Sequence, residues 1–64
     1  MNKEFIYEGN IKGTVIMMET PSELLLEMSK YILNNKIEEI TDIVINWNSD
    51  WNEWWGTIYY GENL

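Results

Sequence analysis

Hydrophobic residues alternate with polar ones near both ends of this chain and follow a helical period in its middle. The runs Lys3–Glu8 and Ile11–Glu19 are rich in strand-forming residues and flank Gly9 and Asn10. A glycine-containing pair between two such runs is a common two-residue hairpin turn. The pattern therefore predicts that the chain begins with a β-hairpin.

The predicted hairpin turn fixes which residues of the two strands lie opposite each other. Glu8 then faces Ile11, and Ile6 faces Gly13. Both faces of the hairpin are substantially apolar, so the pattern leaves open which one contributes to the core. One face holds Ile6, Ile11, Val15 and Met17, and the other holds Phe5, Tyr7, Ile16 and Met18.

The clearest local signal is the start of a helix after the hairpin. Thr20 suits the capping position, Pro21 the first helical position, and Glu23 completes a capping box. The helix is predicted to run from Pro21 to about Asn35, because paired asparagines suit a helix end.

The predicted helix carries more apolar surface than one sheet requires. A flank formed by Leu26 and Leu33 lies beyond Ser29, outside the main apolar stripe. A helix that packs on a four-stranded sheet needs only that stripe, so this flank is surplus in a monomer. The stripe consists of Leu24, Leu25, Met28, Tyr31 and Ile32.

A second hairpin follows the helix. Thr41–Trp47 alternates, Asn48–Glu53 has the composition of a turn, and Trp54–Tyr60 alternates again. The element order ββαββ predicts an α+β fold, a mostly antiparallel four-stranded sheet with one helix, in a single domain spanning residues 1–64. The expected strand pairs are Trp47 with Trp54, Ile45 with Gly56 and Ile43 with Ile58.

The charge of the chain restricts its partners. The net charge is −7, from eleven acidic residues against four lysines and no arginine. Nucleic acids and anionic membranes are bound mainly through lysine and arginine, so we expect this chain to bind neither directly. We expect a protein partner with a basic or nucleic-acid-binding surface. The alternative is that the charge only keeps the chain soluble.

The composition argues against an enzyme and against a cofactor. Histidine and cysteine are both absent, so the usual catalytic triads and zinc sites have no parts. Asn48, Asp50 and Asn52 are spaced loosely like the first ligands of an EF-hand calcium loop. However, Glu53 stands where that loop needs glycine, and Tyr59 stands where it needs glutamate. We therefore expect a polar turn without a metal.

Trp and Tyr cluster in the second hairpin beyond what a small core needs. Trp47, Trp54 and Tyr60 are assigned to the core, whereas Trp55 and Tyr59 fall on the opposite sheet face. Exposed aromatic residues are typical of protein interfaces, and the Trp-rich 47–55 hairpin also suits a carbohydrate- or small-ligand-binding module. The candidate interface residues are Trp51, Trp55, Tyr59, Val44, Leu26, Leu33, Asp50 and Glu53.

A chain this short without disulfides or a metal usually gains stability from a second chain. We therefore predict a homodimer. Two surfaces are candidates for its interface, and the first is favoured because aromatic side chains supply more area. They are the sheet face with Val44, Trp55 and Tyr59, and the helix flank with Leu26 and Leu33.

The whole-chain composition suggests an origin. The chain is rich in Ile, Asn, Glu and Tyr and lacks Ala, Arg, Gln, His and Cys, the bias of an AT-rich genome. In size, acidity and lack of catalytic residues it resembles the small inhibitors that bacteriophages make against host defence proteins or other host enzymes, DNA mimics included. The resemblance implies an inhibitor that occludes a host protein in the bacterial cytoplasm. A structural subunit of a larger assembly is a further alternative.

Overall fold

A computed structural model describes residues 2–61 as four strands and one helix. The strands form one sheet in the order β1-β2-β4-β3, and each neighbouring pair is antiparallel. This confirms the predicted α+β fold. Because β4 lies between them, β2 and β3 run parallel to each other and the helix connects them. The elements are β1 (Asn2–Glu8), β2 (Ile11–Met18), α1 (Pro21–Asn34), β3 (Ile40–Asn48) and β4 (Glu53–Gly61).

Helix α1 begins at the predicted capping box. The Glu23 amide donates to Thr20 Oγ1 at 3.2 Å, and the Thr20 hydroxyl donates to Glu23 Oε1 at 2.8 Å. The first bond satisfies a backbone amide that a helix start leaves unpaired, and the second holds the two side chains together. At the other end, the Asn35 amide donates to the Tyr31 carbonyl, and Lys36 has a positive φ of 51°. The predicted helix is therefore confirmed to within one residue.

The core lies between α1 and the two central strands. Leu24 and Met28 of α1 are buried against Ile16 of β2 and Ile58 of β4. Gly56 makes this close approach possible, because a Cβ atom there would overlap Met28 Sδ and lie 3.1 Å from Leu24 Cδ1. The helix therefore sits directly on β2 and β4.

The second hairpin has the predicted register. Trp47 pairs with Trp54, and the large-against-small pair of Ile45 with Gly56 lies next to it. A shift in register between Ile40 and Asp42 marks a bulge at the start of β3.

The first hairpin differs from the prediction. Glu8 pairs with Ile11 as expected, but a bulge between Ile6 and Glu8 places Phe5, not Ile6, opposite Gly13. A bulge adds one residue to a strand and so exchanges the faces of all residues beyond it. The predicted faces of β1 were therefore wrong: Phe5 and Tyr7 share a face with Ile11, Val15 and Met17.

Candidate functional site

The sheet face opposite α1 carries an apolar surface that no element of residues 2–61 covers. We call it the open sheet face. It combines residues from all four strands, because the strand order brings the two hairpins side by side through β2 and β4. Its apolar members are Phe5, Tyr7, Val15, Met17, Val44, Trp55 and Tyr59.

Three aromatic rings meet on this face. The ring centroid of Tyr59 lies 6.0 Å from that of Phe5 and 4.9 Å from that of Tyr7, both in edge-to-face contact. Gly13 lies between Phe5 and Tyr59 in the sheet and has no side chain to separate them. A Cβ atom at Gly13 would overlap the Phe5 ring. The cluster therefore depends on a glycine of β2 and on the bulge in β1.

Trp55 continues the apolar surface toward the other end of β4. It pairs with Met17 of β2 and with Asn46 of β3, and its side chain is partly buried. The indole Nε1 is buried and has no hydrogen-bond partner among the described residues. Trp55 therefore contributes the carbon surface of its ring to the open sheet face, and its polar edge is turned inward.

Acidic side chains border the open sheet face on the side of β3 and β4. By strand alternation, Asp42 lies on the face of Val44, and Glu53 lies on the face of Trp55. Asp50 is exposed in the adjoining turn. The site is therefore apolar at its centre and negatively charged along one border.

The turn between β3 and β4 holds its shape through Asn48. The Asn48 Oδ1 atom accepts hydrogen bonds from the amides of Asp50 at 3.1 Å and Trp51 at 3.3 Å. Asn52 closes the turn with a positive φ of 51°. Trp51 projects from it and is 68% exposed. No cluster of three or more potential metal ligands occurs in the part of the chain that the structure describes.

The structure divides the predicted interface residues into two groups. Six of them lie on the open sheet face or in the turn beside it, whereas two lie on α1, on the other side of the sheet. Sequence reasoning missed Phe5 and Tyr7, because the bulge that places them there has no clear signal in the sequence. The first group is Val44, Asp50, Trp51, Glu53, Trp55 and Tyr59, and the second is Leu26 and Leu33.

The four tryptophans of the 47–55 hairpin do not form one platform. Trp47 and Trp54 contact each other on the helix side, with centroids 5.6 Å apart and ring planes at 59°. Trp55 lies on the opposite face and Trp51 in the turn. The assignment of Trp47 to the core was also wrong: Trp47 is 48% exposed, because α1 packs mainly on β2 and β4.

A small cluster of polar side chains lies between the second half of α1 and the sheet. The Tyr31 hydroxyl accepts a hydrogen bond from Thr14 Oγ1 and donates one to Glu4 Oε1, each at 2.9 Å. The Tyr60 hydroxyl lies 3.4 Å from that of Tyr31. Burial, followed by the bonds to Tyr60 and Glu4, raises the pKa of Tyr31 above its usual value. The cluster borders a cavity of about 260 Å³.

This polar cluster connects α1 to the sheet. With its raised pKa, the Tyr31 hydroxyl stays protonated near neutral pH and can donate its hydrogen bond to Glu4. Its two hydrogen bonds join α1 to β1 and β2.

Comparison with known proteins adds no relative: no protein family, no curated protein and no solved structure matches this chain. Helix α1 is the only helix within residues 2–61, and it is neither long nor apolar enough to cross a membrane.

Proposed function

We propose that this chain is a small acidic inhibitor that binds another protein and acts by covering part of that protein's surface. The observation that carries the proposal is the open sheet face. Large uncovered apolar patches on a small domain mark interaction sites. A patch built from four strands also presents its side chains on a rigid support, which reduces the entropy lost on binding.

The composition of the open sheet face favours a protein partner over a sugar. Tyr and Trp side chains bury large areas with few rotatable bonds and are enriched in interface hot spots. Tyr59 contacts both Phe5 and Tyr7 edge to face, so these rings do not form a flat surface on which a sugar ring can stack. The uneven apolar surface that these rings form suits packing against the side chains of a protein partner.

The charge distribution favours a basic partner. Asp42, Asp50 and Glu53 lie along one border of the open sheet face, and the whole chain carries a net charge of −7. Opposite charges around an apolar centre steer a partner into register. Together with the compositional resemblance to phage inhibitors, this supports a host protein that binds nucleic acid or carries another basic surface, met in the bacterial cytoplasm.

Affinity capture tests the proposal with a pair of charge-matched variants. Tyr7→Glu adds one carboxylate on the open sheet face, where Tyr7 is 59% exposed. Asn34→Glu adds one carboxylate at an exposed position of α1, on the other side of the molecule. We expect immobilised parent and Asn34→Glu to retain the same protein from a bacterial lysate, and Tyr7→Glu to lose it. The retained protein should also lose activity when the parent is added.

Two results would contradict the proposal. The first is equal retention by all three forms, since binding would then not use the open sheet face. The second is a retained protein whose activity is unchanged at saturating concentrations of the chain, since the chain would then be a binding protein without inhibitory action. Circular dichroism of each variant checks that its fold is intact.

A further inference from the structure

The helix side of the sheet carries a second uncovered apolar surface, separate from the open sheet face. Helix α1 packs mainly on β2 and β4, and the inner face of β3 stays partly exposed. We call Ile43, Ile45 and Trp47 the β3 strip; their side chains are 44%, 39% and 48% exposed. We call Leu25, Leu26 and Leu33 the helix flank; their side chains are 56%, 56% and 76% exposed.

The two parts of this surface have complementary shapes. An α-helix with its side chains is about 10 Å in diameter, so α1 stands as a ridge above the sheet. The β3 strip lies beside that ridge as a hollow about one strand wide. The apolar part of the ridge also points away from the core, since Leu24 and Met28 occupy the face turned to the sheet.

We propose that a second copy of this chain docks on this surface, so that the helix flank of each copy lies on the β3 strip of the other. A two-fold axis makes both contacts at once, since the same patch then serves on both chains. The two helices come to lie side by side between the two sheets. Each copy then covers the β3 strip that the other copy's helix leaves partly exposed.

Charge selects a second copy as the occupant. Each chain carries a net charge of −7, so two copies repel one another, and the repulsion is smallest when the contact surface itself carries no charge. At 100° per residue, the sector of α1 from Ile32 to Leu26 contains only leucine, isoleucine and serine. The β3 strip has no charged residue either. A basic partner would find no carboxylate within this surface.

The amount of exposed apolar area agrees with a dimer. Exposed fractions of about half on these six large residues leave roughly 600 Å² uncovered per chain, at the low end of the roughly 600–1,000 Å² per partner of a standard interface. Docking here leaves both open sheet faces outward on opposite sides of the dimer. The inference does not depend on the proposed function, and the two can fail separately.

The register of the contact follows from the core. Leu24 Cδ1 lies beside Gly56, which pairs with Ile45, so the first part of α1 lies at the level of Ile45 along the strands. Leu26 is two residues from Leu24 and lies at about the same level. A two-fold axis parallel to the strands therefore places Leu26 on Ile45 of the second copy.

A charge-pairing experiment tests this contact by sedimentation equilibrium. We expect the parent to sediment at twice 7.7 kDa. Leu26→Glu and Ile45→Lys should each weaken dimerisation at least tenfold, because each buries an unpaired charge. An equimolar mixture of the two variants should regain the dimer mass, since the introduced carboxylate and ammonium meet in the heterodimer and the second contact remains native. Tyr7→Glu is the control and should dimerise like the parent.

Three outcomes would overturn the inference. The first is a parent that remains at 7.7 kDa at high micromolar concentration. The second is a mixture that stays monomeric although circular dichroism shows both variants folded. The third is loss of the dimer in Tyr7→Glu with retention in the other two variants, which would move the interface to the open sheet face.

Discussion

Two glycines on adjacent strands decide which large side chains approach the sheet. Gly13 admits the Phe5 ring on the open sheet face, and Gly56 admits Met28 on the helix side. Each glycine weakens its strand locally, since it has no side chain to pack. In return, a bulky neighbour lies directly on the backbone. The aromatic cluster therefore depends on Gly13, and the close packing of α1 on the sheet depends on Gly56.

Tyr31 makes the stability of this protein fall at alkaline pH. Its folded-state pKa is raised, first by burial and then by the hydrogen bonds to Tyr60 and Glu4, while the bond from Thr14 acts in the opposite direction. In the unfolded chain the pKa is about 10. Above that pH the unfolded chain releases a proton that the folded chain retains. The free energy of unfolding therefore decreases as the pH rises from about 10 toward the folded-state pKa.

Urea unfolding of the parent and Tyr31→Phe between about pH 8 and pH 11 measures this effect. Tyr31→Phe should be less stable than the parent at pH 8, because it loses both hydrogen bonds of the hydroxyl. The gap should narrow above about pH 10, since only the parent has this proton to lose. Parallel declines of the two proteins would show that Tyr31 titrates equally in the folded and unfolded chains.

At the scale of elements, the start of α1 is the best-defined local structure. Thr20 and Glu23 form a reciprocal pair of hydrogen bonds there. Thr20→Ala removes the side-chain acceptor and should lower the free energy of unfolding by about 1 kcal/mol. Thr20→Ser keeps the hydroxyl and should stay near the parent. Chemical denaturation of the three proteins checks this; an equal loss in Thr20→Ser would assign the effect to the threonine methyl group instead.

Elements with local signals were predictable from the sequence. The helix start depends on residues Thr20 to Glu23, and the register of the second hairpin follows from alternation on both sides of its turn. The face of Trp55 and Tyr59 was predictable for the same reason, since it follows from pairing Trp47 with Trp54. In each case the deciding residues lie close together along the chain.

Features that depend on distant contacts were not predictable. The bulge that turns Phe5 toward Gly13 brings its ring into contact with Tyr59, which lies in another hairpin. Likewise, nothing in the pattern of β3 shows that α1 packs mainly on β2 and β4 and leaves Trp47 about half exposed. For this reason the sequence indicated the surplus leucines of the helix but not the β3 strip beside them.

At the scale of the whole molecule, one helix is too narrow for this sheet. Four strands about 4.8 Å apart are wider than a helix of about 10 Å. Helix α1 therefore covers the central strands. Two apolar surfaces stay exposed: the open sheet face on one side of the sheet, and the β3 strip together with the helix flank on the other. The two surfaces differ in charge: carboxylates border the first, whereas the second is uncharged. This difference suits the first to a basic partner and the second to another copy of the chain.

The distribution of charge also predicts how the rate of association with a partner depends on salt. Carboxylates beside an apolar contact raise the association rate with a basic partner, and salt screens that attraction. For the protein retained in the capture experiment, the association rate constant should fall about tenfold or more between low and high ionic strength. The dissociation rate constant should change much less, because apolar contacts hold the complex once it has formed.

A pair of charge-matched variants locates the carboxylates responsible. Asp42→Asn/Glu53→Gln removes two charges beside the open sheet face, and Glu27→Gln/Glu38→Gln removes two on the helix side. Surface plasmon resonance across ionic strengths should show slower association and a shallower salt dependence for the first pair. The second pair should change both less, since its charges lie farther from the contact. If the two pairs behave alike, steering comes from the net charge of the molecule. If the parent's association rate is independent of salt, the acidic residues serve solubility alone and the partner need not be basic.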